Sequence, residues 1–209
     1  SSEMRRFDVA KVFRRETWRV GESAFAVLLL LIGTSMLDGF YGSYYNLNQL
    51  VFDAFDAPVS IIGIFFGASY AVNATAYIAA DFFSSRFGKR NTMLGSMLIE
   101  AGLFMILPWF ASNPLCLFGL SMVLCFLPEV VYITSENLIQ DAIADDLRAT
   151  ILSVASLVRA LFSAMFFSIF GYVLGLYPIQ IALGVIGAIA IAITAVVSLK
   201  MVGIHVSKN

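Results

Sequence analysis

The stretch SSRFGKRNT, residues 84–92, sets Arg86, Lys89 and Arg90 around Gly88 in a short gap. On either side the chain is apolar for about twenty residues, the length of helix that crosses the roughly 30 Å hydrocarbon core of a bilayer. A basic turn between two such segments is the pattern of a membrane-spanning hairpin. The same ruler, carried outward in both directions, places six spans at 23–46, 58–83, 91–111, 115–139, 150–174 and 178–202. The connections are short, so consecutive spans are expected to run antiparallel.

Composition agrees with that pattern. Of 209 residues, 60% are hydrophobic and 13% charged, against roughly 45–50% and about 25% in soluble domains. The expected fold class is an all-α membrane protein, with a six-helix transmembrane bundle over 23–202. A basic segment, 1–22, precedes it and a short tail, 203–209, follows. The basic segment sets Phe7, Ala10, Phe13 and Trp18 among cations, which suits either a plain cytoplasmic linker or an interfacial amphipathic helix. It lacks the pattern of a secretory signal. A net charge of −1 gives no sign of a nucleic-acid partner. Cys116 and Cys125 fall in one span, so no disulfide framework is expected. With one histidine, His205, the chain offers no metal cluster and implies no cofactor.

The cations orient the bundle. Arg5, Arg6, Lys11, Arg14, Arg15 and Arg19 precede the first span, and Arg86, Lys89 and Arg90 follow the second. Arg148 follows the fourth, and Lys200 and Lys208 lie at the C-terminal end. The loops around 47–57, 112–114 and 175–177 carry none. All twelve therefore fall on one side, which the positive-inside rule makes cytoplasmic, together with both termini. The expected location is a cell membrane, bacterial inner or plasma, with lipid as the surrounding partner.

Polar residues at membrane depth are costly and tend to face a bundle interior or a water-filled cavity. In span one Thr34, Ser35, Asp38, Tyr41, Gly42 and Tyr45 form one stripe at helical spacing, and in span two Ser69, Tyr70, Asn73, Tyr77 and Asp81 form another. Span four carries Cys125, Glu129, Tyr132, Glu136 and Gln140, and span five Ala155, Ser156, Arg159 and Ser163. Spans three and six are poorer, with Glu100 the one charge well inside span three. The bland account is that such residues cap, snorkel or join helices. Asp38, Glu129 and Arg159 carry the functional account furthest. At 1.5 Å per residue, Arg159 and Glu129 both lie roughly 15 Å above the cytoplasmic ends of their spans. Glu129, and after it Glu136, are thus the expected partners of Arg159, with Asp38 placed nearer the outer half.

The segment DFFSSRFGKR, 81–90, resembles the loop between the second and third helices of major facilitator superfamily transporters, Gly-x-x-x-Asp-Arg/Lys-x-Gly-Arg/Lys-Arg/Lys. Arg86, Gly88, Lys89 and Arg90 match; Asp81 stands at the glycine position and Ser85 at the acid position. A second marker, DDLRATILS at 145–153, resembles the entry to the family's eleventh helix. The resemblance covers nearly the whole chain and implies the C-terminal six-helix half, with a texture similar to drug-efflux members. It implies that spans one, two, four and five line a substrate cavity, and that spans three and six are peripheral. It also implies that Asp81, Arg86, Gly88, Lys89 and Arg90 form a gating motif.

The resulting expectation is a secondary active transporter, or its C-terminal half, that moves a small solute by alternating access, either proton-coupled or taking a cationic substrate. Asp38, Tyr41, Tyr45, Tyr70, Asn73, Tyr77, Glu129, Tyr132, Glu136 and Arg159 are the substrate or coupling candidates. The missing wall of the cavity would come from an N-terminal half or from a second copy. The chain opens without a methionine and with a linker-like prelude, which favours the fragment. The alternative is a non-transporting half-domain that assembles with other subunits. A membrane enzyme is not expected: no HExxH or GxSxG is present, and the histidine lies in the tail.

Overall fold

Gly88 alone separates the second helix from the third, at φ 83°, a conformation that glycine adopts without steric cost. The computed structural model describes residues 24–110, 112–143 and 148–202; expectations for the basic prelude and the tail fall outside these residues. Among the described residues there are six helices: α1 (Ala24–Ala54), α2 (Val59–Phe87), α3 (Lys89–Phe110), α4 (Pro114–Ala142), α5 (Arg148–Leu176) and α6 (Ile179–Val202). Among the described residues five helices, α2 to α6, are long and apolar enough to cross a membrane. Each of the six expected spans corresponds to one helix.

Two boundaries differ from expectation in ways that matter. The basic loop is a one-residue turn: Arg86 belongs to the last turn of α2, and Lys89 and Arg90 open α3. The backbone closes on itself there, Gly88 N–H donating to the Ser84 carbonyl at 2.9 Å and Thr92 N–H to the Gly88 carbonyl at 3.0 Å. Asn91 Nδ2 donates to the Phe87 carbonyl at 3.0 Å. At the other end of the bundle α1 continues through NQLVFDA to Ala54, eight residues past its expected end. Asp38 is therefore mid-helix rather than in the outer half. The N-terminus of α4 follows ordinary capping chemistry: Asn113 accepts from Leu115 N–H at 2.9 Å and Cys116 N–H at 3.3 Å, with Pro114 at the first helical position.

The helices pair as α1 with α4, α5 and α6, α3 with α2, α4 and α6, α2 with α4, and α5 with α6. This set maps onto itself when α1, α2 and α3 are exchanged for α4, α5 and α6. The starts of α3 and α6, Lys89 and Ile179, are 90 residues apart. With short connections and three helices per unit, the two units run in opposite directions. The helix contacts thus follow an inverted three-plus-three pattern.

In lipid, helices gain little from burying leucine against each other, so small residues and interhelical hydrogen bonds decide which faces meet. The α1–α5 crossing is built that way. A Cβ on Gly39 would lie 2.7 Å from Phe162 Cβ and 2.8 Å from the Ser163 backbone nitrogen. Ser43 Oγ donates to the Ser163 carbonyl at 2.9 Å, and Ser35 Oγ to the Ala155 carbonyl at 3.4 Å. The exchanged contact, α4 on α2, puts Val130 against Ala76 and Ala80, so there the small residues lie on the other helix. Above these crossings Phe40 is fully buried in edge-to-face contact with Phe104, Phe166 and Phe170, joining α1, α3 and α5.

Candidate acidic cavity

The tight α1–α5 crossing places Asp38, one residue before Gly39, against Arg159, three residues before Phe162. Arg159 Nε lies 2.6 Å from Asp38 Oδ2, and a terminal guanidinium nitrogen lies 3.9 Å from Glu136 Oε1. Each of the three side chains is about a quarter exposed. The guanidinium carbon stands 4.2 Å from the centroid of the Tyr132 ring, a cation–π arrangement. The Tyr132 hydroxyl donates to the same Glu136 oxygen. Two carboxylates from two helices thus share one cation, and the aromatic face holds it between them.

The cavity beside this cluster has a volume of about 290 Å³. Asp38, Tyr41, Gly42, Tyr45 and Asn46 line it from α1, Tyr70 and Asn73 from α2, and Leu124, Cys125, Pro128 and Glu129 from α4. Several of these groups are fixed by their neighbours. Tyr45 Oη is 3.0 Å from Ser69 Oγ, which ties α1 to α2. The Asn73 amide donates to the Ser69 and Cys125 carbonyls, each at 3.2 Å, which ties α2 to α4. Pro128 lies inside α4 immediately before Glu129, where it removes a backbone donor from the ladder and favours a bend at the cavity wall.

The expected residues are distributed as follows. Asp38, Tyr41, Tyr45, Tyr70, Asn73 and Glu129 meet on the cavity wall. Tyr132, Glu136 and Arg159 form the adjoining charge cluster. Tyr77 and Asp81 are exposed farther along α2, outside that wall. At the basic turn Lys89 Nζ pairs with Asp141 Oδ2 at 2.5 Å, joining the start of α3 to the end of α4, and Arg86 lies 5.8 Å over the Phe87 ring. Among the described residues Ser85 Oγ donates to the Phe82 carbonyl of its own helix, at 2.8 Å.

Two expectations are corrected. Arg159 takes Asp38 as its close partner, Glu136 second, and Glu129 forms no ion pair among the described residues. The cause is the length of α1, which brings Asp38 to the depth of Arg159. The third span, expected to be peripheral, turns Glu100 into the bundle, where it is fully buried.

Sequence reasoning missed Asn46, Leu124 and Pro128 on the wall and Asp141 at the turn. It also missed an internal repeat. DGFYGSYYNLNQ, 38–49, aligns without gaps with EVVYITSENLIQ, 129–140. Tyr41 matches Tyr132, Asn46 matches Asn137, Leu47 matches Leu138 and Gln49 matches Gln140, with Asp38 opposite Glu129 and Ser43 opposite Thr134. The two cavity acids are therefore repeat equivalents, each near the middle of its helix. A mid-helix residue keeps its depth when the unit is inverted, so the repeat brings both acids to one level.

No family model matches the chain, and no curated protein or solved structure matches it.

Proposed function

We propose that this chain is one six-helix half of a secondary transporter of the major facilitator type, which moves a small organic cation by alternating access. The observation that carries the proposal is the inverted three-plus-three pairing of the helices, with an acid from each unit at mid-depth in one cavity. Transporters of this architecture place their sites near the bilayer midplane where repeats meet. The cavity wall and its charge cluster hold Asp38, Glu129 and Glu136 against the single cation Arg159. Arg159 is engaged by Asp38 and Glu136, which leaves Glu129 to meet a charged ligand. Tyr41, Tyr45 and Tyr70 add aromatic surface suited to a cation with an apolar body. The Lys89–Asp141 pair, between the two repeats at one end of the bundle, suits a contact that breaks and re-forms as they rock. On this reading the membrane is a bacterial inner or plasma membrane, both termini are cytoplasmic, and an N-terminal half or a second copy supplies the facing wall.

The test is calorimetric titration of the purified full-length protein with tetraphenylphosphonium. Wild type is expected to bind. Asp38→Asn and Glu129→Gln are each expected to weaken binding about tenfold, which corresponds to about 1.4 kcal/mol. Binding that both variants leave unchanged, or no binding by wild type, contradicts an acidic cation site.

A further inference from the structure

Glu100 is the most deeply buried charged residue of the described bundle, and the cavity does not use it. It is 0% exposed, and neither carboxyl oxygen has a hydrogen-bond partner among the described residues. It forms no ion pair among them either. The polar groups that interact with it, directly or through Tyr41, come from three helices. From α1 the Tyr41 hydroxyl lies beside it, with Asp38 within electrostatic reach; from α6 Thr194 adjoins Tyr41; from α4 Cys125 is close enough to interact with it. The Tyr41 and Thr194 hydroxyls are themselves buried, with no other partner among the described residues. None of these groups is a cation. One turn along α3, Gly187 of α6 packs so closely that a Cβ there would lie 3.2 Å from the Phe104 carbonyl carbon.

An ionised carboxylate in such a place would have no counter-charge among the described residues and no donor beside it but the Tyr41 hydroxyl, a cost that proteins avoid by keeping the group neutral. Tyr41 also lines the acidic cavity, so one side chain borders both compartments. We propose that Glu100 is an occluded proton-binding site, held as the neutral acid, and that Tyr41 is the partition between it and the cavity. This site is separate from Asp38 and Glu129, and it stands whether or not the chain carries a solute.

Infrared spectroscopy of the full-length protein in lipid near neutral pH tests this directly. Wild type is expected to show a protonated-carboxyl C=O band that exchanges slowly in deuterated water. Glu100→Gln is expected to lose that band, and Glu100→Asp, which keeps an acid, to retain it at a shifted frequency. Glu129→Gln is expected to keep it in place. Tyr41→Ala is expected to speed its hydrogen–deuterium exchange at least tenfold, and Tyr41→Phe, which keeps the ring, to change the exchange far less. Absence of the band in wild type, its survival unshifted in both Glu100 variants, or unchanged exchange in Tyr41→Ala overturns the proposal. The wild-type band and the conservative Glu100→Asp variant keep the test decisive should Glu100→Gln fold poorly.

Discussion

Replacing Arg159 by methionine keeps the stem of the side chain and removes the charge that holds α1, α4 and α5 together at mid-depth. Breaking a fully buried ion pair costs about 3–5 kcal/mol, and breaking a fully exposed one about 0.2–1 kcal/mol. Asp38 and Arg159 are each about a quarter exposed, which places the pair nearer the buried limit. The variant also loses the stacking on Tyr132, worth about 0.5–2 kcal/mol. The expected cost of Arg159→Met is therefore about 2–4 kcal/mol. Asp38→Asn should cost less, about 1–2 kcal/mol, because the guanidinium keeps Tyr132 and has Glu136 within 3.9 Å. In the double variant neither charge is left alone, so the combined loss should fall short of the sum by about 1–3 kcal/mol. The assay is reversible denaturation of the full-length protein in mixed micelles, followed by helical circular dichroism, for wild type, both single variants and the double. Losses that add to within about 0.5 kcal/mol would refute a coupled pair.

Three further outcomes follow from the geometry. Gly39→Ala forces a Cβ into the backbone of α5 and should destabilise by about 1–3 kcal/mol, whereas Gly63→Ala, which meets only open space, should not; thermal unfolding of the two variants decides it. Asp141→Asn should leave stability within about 1 kcal/mol, because its pair with Lys89 is exposed, while a Lys89→Cys/Asp141→Cys disulfide should stop transport that reduction then restores. Transport by the oxidised form would remove that contact from any gating role. For topology, cysteines at Asp56 and Arg86, both exposed, are tested with an impermeant thiol reagent in intact cells, with Cys116 and Cys125 replaced. Labelling at Asp56 and protection at Arg86 is the expected result, and the reverse pattern inverts the orientation.

The helices themselves were readable because lipid demands long apolar runs and tolerates cations on one side, and both signals are local. The stripe Asp38–Tyr41–Gly42–Tyr45 was readable for the same reason, since a polar face at helical spacing has few other uses at depth. What failed was the end of α1. NQLVFDA is polar enough to pass for a loop, yet Val51 and Phe52 are fully buried and carry the helix on to Ala54. That error of two turns misplaced Asp38 in depth and gave its partner to Glu129. The burial of Glu100 was not readable either. One charge on an otherwise apolar helix does not show which way it faces, and only the α1–α3–α6 contact turns it inward. The repeat linking Asp38 to Glu129 was present in the sequence but had no physical meaning until the exchange of helix contacts gave it one.

If the acidic cavity is a transport site, it carries a measurable flux of cation. Vesicles containing the purified full-length protein, acidic inside, are given tetraphenylphosphonium outside, and its accumulation is followed with an ion-selective electrode. Wild type should accumulate the cation well above protein-free vesicles. Asp38→Asn and Glu129→Gln, folded to the wild-type extent by circular dichroism, should each lose most of that accumulation. Accumulation no greater than in protein-free vesicles, or unchanged in both variants, would contradict the account.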